Sequence, residues 1–367
     1  MDLIHPRTVA DVAEVLVRAS ADRRRMLVVG GRSHIDKGNA ADVDAEVWTT
    51  QLDQLVAYDP AEMLVVVQAG MRCSALAELL AEHGQEWPAD APPEATVGGV
   101  IASGSSSARR LRVGVLRDSV VEMELVTGDG RLVRSGARTV KNVTGYDLHR
   151  LITGSLGTLG VITQVALKVR PLPERSLTLA GPGDLALATA VVAGVPLVAG
   201  AVATPDTVEV RLEGWPDEVE ELAESVRRIA PAWAPVSKGG APFPSAPWWT
   251  WPDTGTIVEA ALVPSKLGPA LAGLERHSAL ATVGLAWIAA SGADELAEVR
   301  ARVEAAGGIA PAIRGPGGLG SPPIAAPAVH RRLKAAFDPA GVLAPGRGWT
   351  DRRPGSPTPA GDRSPTG

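Results

Sequence analysis

A single cysteine, Cys73, has no partner within the chain, which suits a reducing cytoplasm. Six histidines show no metal-ligand spacing, so no metal site is expected. The formal net charge of -5 includes no broad basic field, and that excludes a nucleic-acid surface. No internal repeat is visible. The opening Met1-Asp2-Leu3-Ile4-His5-Pro6 lacks a basic patch followed by a long apolar run, so no signal peptide is read. From Leu185 to Pro205 there is no charged residue, a length that would span a bilayer. Gly194, Pro196 and Gly200 interrupt that run, which is therefore read as a buried helix, a turn and a buried strand.

What is present points to two domains. The chain has 367 residues, too many for one ordinary core, and its 45% hydrophobic content excludes global disorder. Thr8 with Asp11 makes a helix start, and Val9, Val12 and Leu16 form its apolar stripe. Met26 to Val29 is a short strand. Leu76, Leu79 and Leu80 mark a helix stopping at Gly84. Val121, Met123 and Leu125 alternate with glutamates, and Asp129-Gly130 turns that strand into a hairpin. A strand at 161–169 ends at Pro171 and Pro173, a predicted boundary. Beyond it, strands around 208–212, 256–263, 281–290 and 309–314 alternate with helices around 219–229, 266–279 and 294–306, an α+β domain. A Gly/Pro-rich linker from Gly315 leads to a helix at 328–336, and a polar tail at 350–367 reads as disordered.

Three glycine-rich stretches carry the functional signal. The first, Gly30-Gly31-Arg32-Ser33-His34, follows a buried strand. Glycine has no Cβ, so backbone N–H groups can converge on an anion; an ordinary tight turn is the competing reading. The residues after it are polar, so any phosphate would sit in a loop nest instead of on a helix dipole. The second contains Thr96, Gly98, Gly99, Ser103, Gly104 and Ser105, small residues that let backbone lie flat on a ligand; a surface loop reads equally well. Arg109, Arg110 and Arg112 follow, able to meet a phosphate or to form a solvated face. The third runs Lys141-Asn142-Val143-Thr144-Gly145-Tyr146-Asp147-Leu148, then Gly154, Gly157, Thr158, Gly160, Val161 and Ile162. Packing alone does not account for that density of glycine.

In this order and spacing the three stretches resemble the FAD domain of the p-cresol-methylhydroxylase or vanillyl-alcohol-oxidase (PCMH-type) family. The ending Phe337-Asp338-Pro339-Ala340-Gly341-Val342-Leu343-Ala344-Pro345-Gly346-Arg347 resembles the family's return onto the flavin domain. Within the family, the 139–160 stretch is similar to smaller flavin subunits of bacterial glycolate oxidases. The resemblance implies an α+β fold: a two-subdomain FAD-binding domain at 1–173, a smaller α+β cap at 174–325 and a C-terminal return at 326–349. It implies that residues 30–34 wrap the FAD pyrophosphate, that Thr96, Gly98, Gly99 and Ser103 to Ser105 line the cofactor, and that 157–162 lie along its adenosine side. Arg32 stands where the family usually has a third glycine. His34 falls off the position of the flavin-linking histidine, which implies non-covalent FAD.

In such an enzyme a base takes the substrate hydroxyl proton while hydride moves to the flavin. Tyr146, Lys141 and Asp147 are the catalytic candidates, with His149 beside them; packing is the competing reading for Tyr146 and Asp147. The tryptophans at 248–251 line a pocket, bind a partner or fill a core. The cap lacks the histidine-bearing segment of larger lactate- and glycolate-oxidising relatives. The expectation is therefore a cytoplasmic FAD subunit of a glycolate oxidase-like complex, with a larger flavin subunit and an iron–sulfur subunit as partners. Membrane association would come only through those partners. A stand-alone FAD oxidase or dehydrogenase of another alcohol, hydroxy acid or sugar acid is the alternative. The loop type argues against an NAD-only dehydrogenase, and the 337–347 ending against a cell-wall precursor reductase.

Overall fold

The computed structural model describes residues 1–138, 146–238, 243–245, 247–251, 255–315 and 326–348. The predicted catalytic Lys141 and the predicted tail lie outside these described residues. The chain begins with a parallel sheet in the lateral order Asp2–Ile4, Ala45–Trp48, Met26–Val29. Parallel strands need a crossover, and the helix Val9–Ala21 supplies it. Thr8 Oγ1 accepts from Asp11 N–H while the Asp11 carboxylate accepts from Thr8 N–H, a reciprocal cap. Val12, Leu16 and Ala19 then bury against Met26 and Val47.

An antiparallel five-stranded sheet follows, ordered Leu55–Asp59, Leu64–Gln68, Val161–Lys168, Val120–Val126, Leu132–Gly136. Its inner side holds Val65, Val67, Met123, Leu125 and Val165. Leu76 and Leu80 of the helix Cys73–Ala81 and Val97, Val100 and Ile101 of the helix Val97–Ser103 join the same core. This second helix replaces the flat loop predicted there. Thr96 caps its start by accepting from Gly99 N–H, and Gly104, at φ +64°, ends it in the left-handed region.

Residues 175–314 build an eight-stranded sheet, antiparallel at every paired edge. Side chains alternate across it. Val258, Ala260, Ala286 and Ile288 face the helices Pro264–Leu271 and Ala293–Ala305. Ile257, Leu285, Trp287 and Ala289 face the other way, with Phe243, Trp248 and Ala108 of the N-terminal half. The helix predicted at 266–279 ends at Leu271, because Gly273 takes φ +76°. His277–Leu280 is instead a strand that turns through Thr282 and Gly284, both at positive φ, into Leu285–Ala290. The uncharged stretch resolves into the helix Leu185–Gly194 and the strand Gly200–Ala203. Among the described residues no helix is long and apolar enough to cross a membrane.

Buried charge joins the halves. Arg109 reaches Glu86 at 3.1 Å and Glu213 at 3.2 Å, and Arg170 reaches the same two carboxylates. Asp90 and Arg211 complete the group. Arg109 does not lie on a solvated face: it is largely buried, and its Nη1 donates to Glu86 and Glu213.

The C-terminal helix Pro327–Phe337 brings the chain back to the parallel sheet. Met26 N–H donates to Val342 O and Ala344 N–H to Met26 O, a single parallel bridge at the edge of that sheet. Asp338, fully buried, accepts from Val342 N–H, Leu343 N–H and Lys334 Nζ. Removing one partner of a buried charge group strands the rest. Asp338→Ala should therefore lower unfolding stability by about 3 kcal/mol, measured as a urea midpoint shift. A change no larger than that of ordinary surface substitutions would show that the return is not held by this carboxylate.

Candidate functional site

An open cleft lies at the C-terminal end of the strand Met26–Val29. Three segments converge on it: the first glycine loop, the helix Val97–Ser103 and the turn before Val161–Lys168. Such a strand-end crevice is where open sheets bind ligands.

The loop sits where it does because two glycines permit close approach. A Cβ on Gly30 would lie 2.1 Å from Thr96 Oγ1, and one on Gly31 would lie 2.0 Å from the Glu94 carbonyl oxygen. A side chain at Gly30 would have to displace the Thr96 side chain, and one at Gly31 would have to move backbone. Arg32 follows at φ 62°, the left-handed conformation that glycine usually supplies. Its side chain gives both Glu46 oxygens a hydrogen bond at 2.9 Å and lies over the Trp48 ring. The N–H groups of Gly31, Arg32, Ser33 and His34 donate to no acceptor among the described residues. Consecutive free N–H groups around a left-handed residue form an anion-binding concavity.

His34 closes the loop against the rest of the protein. Its Nε2 lies 2.9 Å from Ser105 Oγ, which lies 2.9 Å from Ser103 Oγ. Trp248 meets the imidazole edge-on at 5.6 Å. Burial, with a smaller push from Lys37, lowers the His34 pKa to about 4. Lys37 itself pairs with Glu259 at 3.5 Å, and Trp287 Nε1 donates to the same carboxylate.

Of the residues predicted to hold a cofactor, Gly30, Gly31, Arg32, Ser33, His34, Gly98, Gly99, Ser103, Gly157, Gly160 and Ile162 line the cleft. The structure does not bring Thr96, Gly104, Ser105, Thr158 or Val161 to it. Thr96 is a helix cap, Gly104 packs its Cα against Gly154, Thr158 Oγ1 donates to Ser155 O, and Val161 is core. Sequence reasoning missed Thr49, Leu156 and Arg347. Arg347 was legible, since it ends the quoted C-terminal motif; its guanidinium donates to Ile35 O in the first loop. Tyr146 is 89% exposed and Asp147 pairs with Arg150, both outside the cleft. His149 is buried against Ser135. Trp248 belongs to a core.

Residues 3–136 match a family described as an FAD binding domain. Glycolate oxidase subunit GlcE of Escherichia coli (strain K12) is 31% identical over 314 residues, which cover 81% of this chain and 85% of that protein. The chain belongs to this family of FAD-binding oxidoreductases. Other relatives in the family match over about half of the chain. The mitochondrial D-lactate dehydrogenase [cytochrome] of Arabidopsis thaliana is 32% identical over 51% of this chain and 34% of its own length. Glycolate oxidase subunit GlcD of Bacillus subtilis (strain 168) is 31% identical over 48% and 38%. A solved alkyldihydroxyacetonephosphate synthase shares the fold, with a TM-score of 0.69 and 16% identity over 94% of this chain and 76% of that one.

The family's cofactor, FAD, fits the residues present. The unpaired N–H groups of residues 31–34 suit its pyrophosphate, Arg347 adds positive charge, and Val28, Leu156 and Ile162 give the cleft apolar walls. Gly31→Ala should weaken FAD binding by at least about tenfold, a loss of about 1.4 kcal/mol, in a flavin-fluorescence titration. Gly268→Ala, where a Cβ meets nothing within 4 Å, should leave it unchanged; equal affinities would mean that the loop tolerates displacement. His34 is neutral in the folded protein down to pH about 4, whereas its ordinary value is 6.5. Below pH 6.5 the unfolded chain binds the extra proton, so stability falls as pH drops from 6.5 towards 4, by an amount on the order of 2–3 kcal/mol. His34→Gln should flatten that acid limb in urea midpoints taken at a series of pH values.

Proposed function

We propose that the chain is the FAD-binding subunit of a glycolate oxidase-like complex that oxidises a 2-hydroxy acid, glycolate to glyoxylate, and passes electrons from flavin to a partner subunit. The reading rests on one observation: among the described residues the cleft is lined by no carboxylate, lysine or tyrosine, and by a single imidazole, that of His34. His34 is too weakly basic near neutral pH, and Tyr146 and Asp147 lie elsewhere. A chain that holds flavin without such a group is suited to work beside another that has one. The name of its relative GlcE, matched over 85% of that protein, supports the same reading.

Bound FAD would supply the two-electron chemistry, accepting hydride from the alcohol carbon. The chain's own residues do the holding. N–H groups of residues 31–34 would meet the pyrophosphate, and Leu156 and Ile162 would keep water from it. Nε2 of His34 is engaged by Ser105, which supports a non-covalent flavin. Residues 1–173 with the return at 326–349 serve as the flavin domain, and 174–325 as the cap. Exposed Tyr146 and Asp147 are then available, with Lys141, to a larger flavin subunit, and an iron–sulfur subunit would take the electrons. The second reading, a stand-alone FAD dehydrogenase of another hydroxy acid, is favoured by the D-lactate dehydrogenases among the relatives.

An absorption spectrum of the purified chain, taken anaerobically before and after glycolate, tests the proposal. The expected result is a flavin spectrum that glycolate leaves oxidised until the larger subunit is added. Bleaching by glycolate alone would favour the second reading. Absence of flavin bands after FAD is supplied would sink both.

A further inference from the structure

The hydrogen bonds around His34 form a chain with a single consistent direction. Ser103 Oγ donates to Val100 O at 3.0 Å, and a hydroxyl has only one proton to give. Ser103 Oγ therefore accepts from Ser105 Oγ, which in turn must accept from His34. Nε2 of His34 thus carries the proton, and Nδ1 carries the lone pair. Nδ1 has no hydrogen-bond partner among the described residues, and it is not among the buried side-chain atoms sealed without one. Trp248, itself buried and braced edge-on by Trp249 at 5.7 Å, packs against the ring and opposes its rotation.

The loop N–H groups and Arg347 give the cleft donors, which suits phosphate oxygens. The side-chain acceptors on its lining are few: His34 Nδ1 and the hydroxyls of Ser33, Thr49 and Ser103, of which that of Ser103 already accepts from Ser105. We propose that His34 Nδ1 is a fixed hydrogen-bond acceptor for a hydroxyl or ring N–H of the bound flavin nucleotide, its tautomer set by the Ser105–Ser103–Val100 chain. His34 is then a positioning residue for the cofactor. This inference rests on the FAD-binding reading above.

The test is nitrogen NMR of the full chain labelled at histidine nitrogens, with His34 assigned by loss of its signals in His34→Asn. Without FAD, His34 should show the Nε2–H tautomer. Saturation with FAD should shift Nδ1 in the direction of an accepted hydrogen bond while Nε2–H persists. An Nδ1–H tautomer, or an Nδ1 signal that FAD does not move, would overturn the proposal. The variants give a second readout. Asn can place an amide oxygen near the Nδ1 position, whereas Gln reaches the Nε2 position. His34→Asn should keep FAD affinity within about threefold, and His34→Gln should lose about tenfold, the value of one hydrogen bond. The reverse order, or equal affinities, would overturn it too. A wild-type chain that takes up no FAD would sink the flavoprotein reading and this inference together; uptake with an unmoved Nδ1 sinks the inference alone.

Discussion

The site depends on one steric constraint, the contact between the first glycine loop and the segment at Glu94 to Thr96. Gly31 rests against the Glu94 carbonyl with no room for a Cβ, and Gly30 does the same against Thr96. That contact puts the end of a parallel strand directly on the start of the helix Val97–Ser103. From it follow the left-handed turn at Arg32 and the run of N–H groups with no protein acceptor. The same Thr96 that crowds Gly30 also caps the helix. One hydroxyl thereby positions two walls of the cleft.

The loop is also where the N-terminal half of the chain meets the C-terminal half. His34 touches Trp248 and Lys37 touches Glu259, so two of its residues end on the far half of the protein. The charge group centred on Arg109 and Glu213 joins the halves a second time. Glu86 and Glu213 each face both Arg109 and Arg170, so each of these two carboxylates shares two cations across the junction.

Much of this was legible because it is local. The reciprocal cap of Thr8 and Asp11, the hairpin at Asp129-Gly130 and the alternation in Val120–Val126 each depend on residues a few positions apart. Most of the predicted cofactor residues line one cleft. The errors have a shared cause. Val97–Ser103 was read as a loop since its glycines hid a helix with a sound cap at each end. The 266–279 segment was read as one helix because Leu267, Leu271 and Leu274 keep helical spacing across Gly273, where the backbone leaves the helix. Arg109 looked like a surface cation because its partners Glu86 and Glu213 are far away in sequence.

The sequence by itself determined the family, the cofactor class and the order of the glycine stretches, since each of these is written in contiguous motifs. Only the tertiary structure decided which of those residues reach the cleft, that Arg347 joins them from the far end of the chain, and that Tyr146 does not. It alone oriented the hydrogen-bond chain at His34. The physical reason is that side-chain direction, burial and hydrogen-bond partnership depend on residues brought together by folding across distances that no local pattern records.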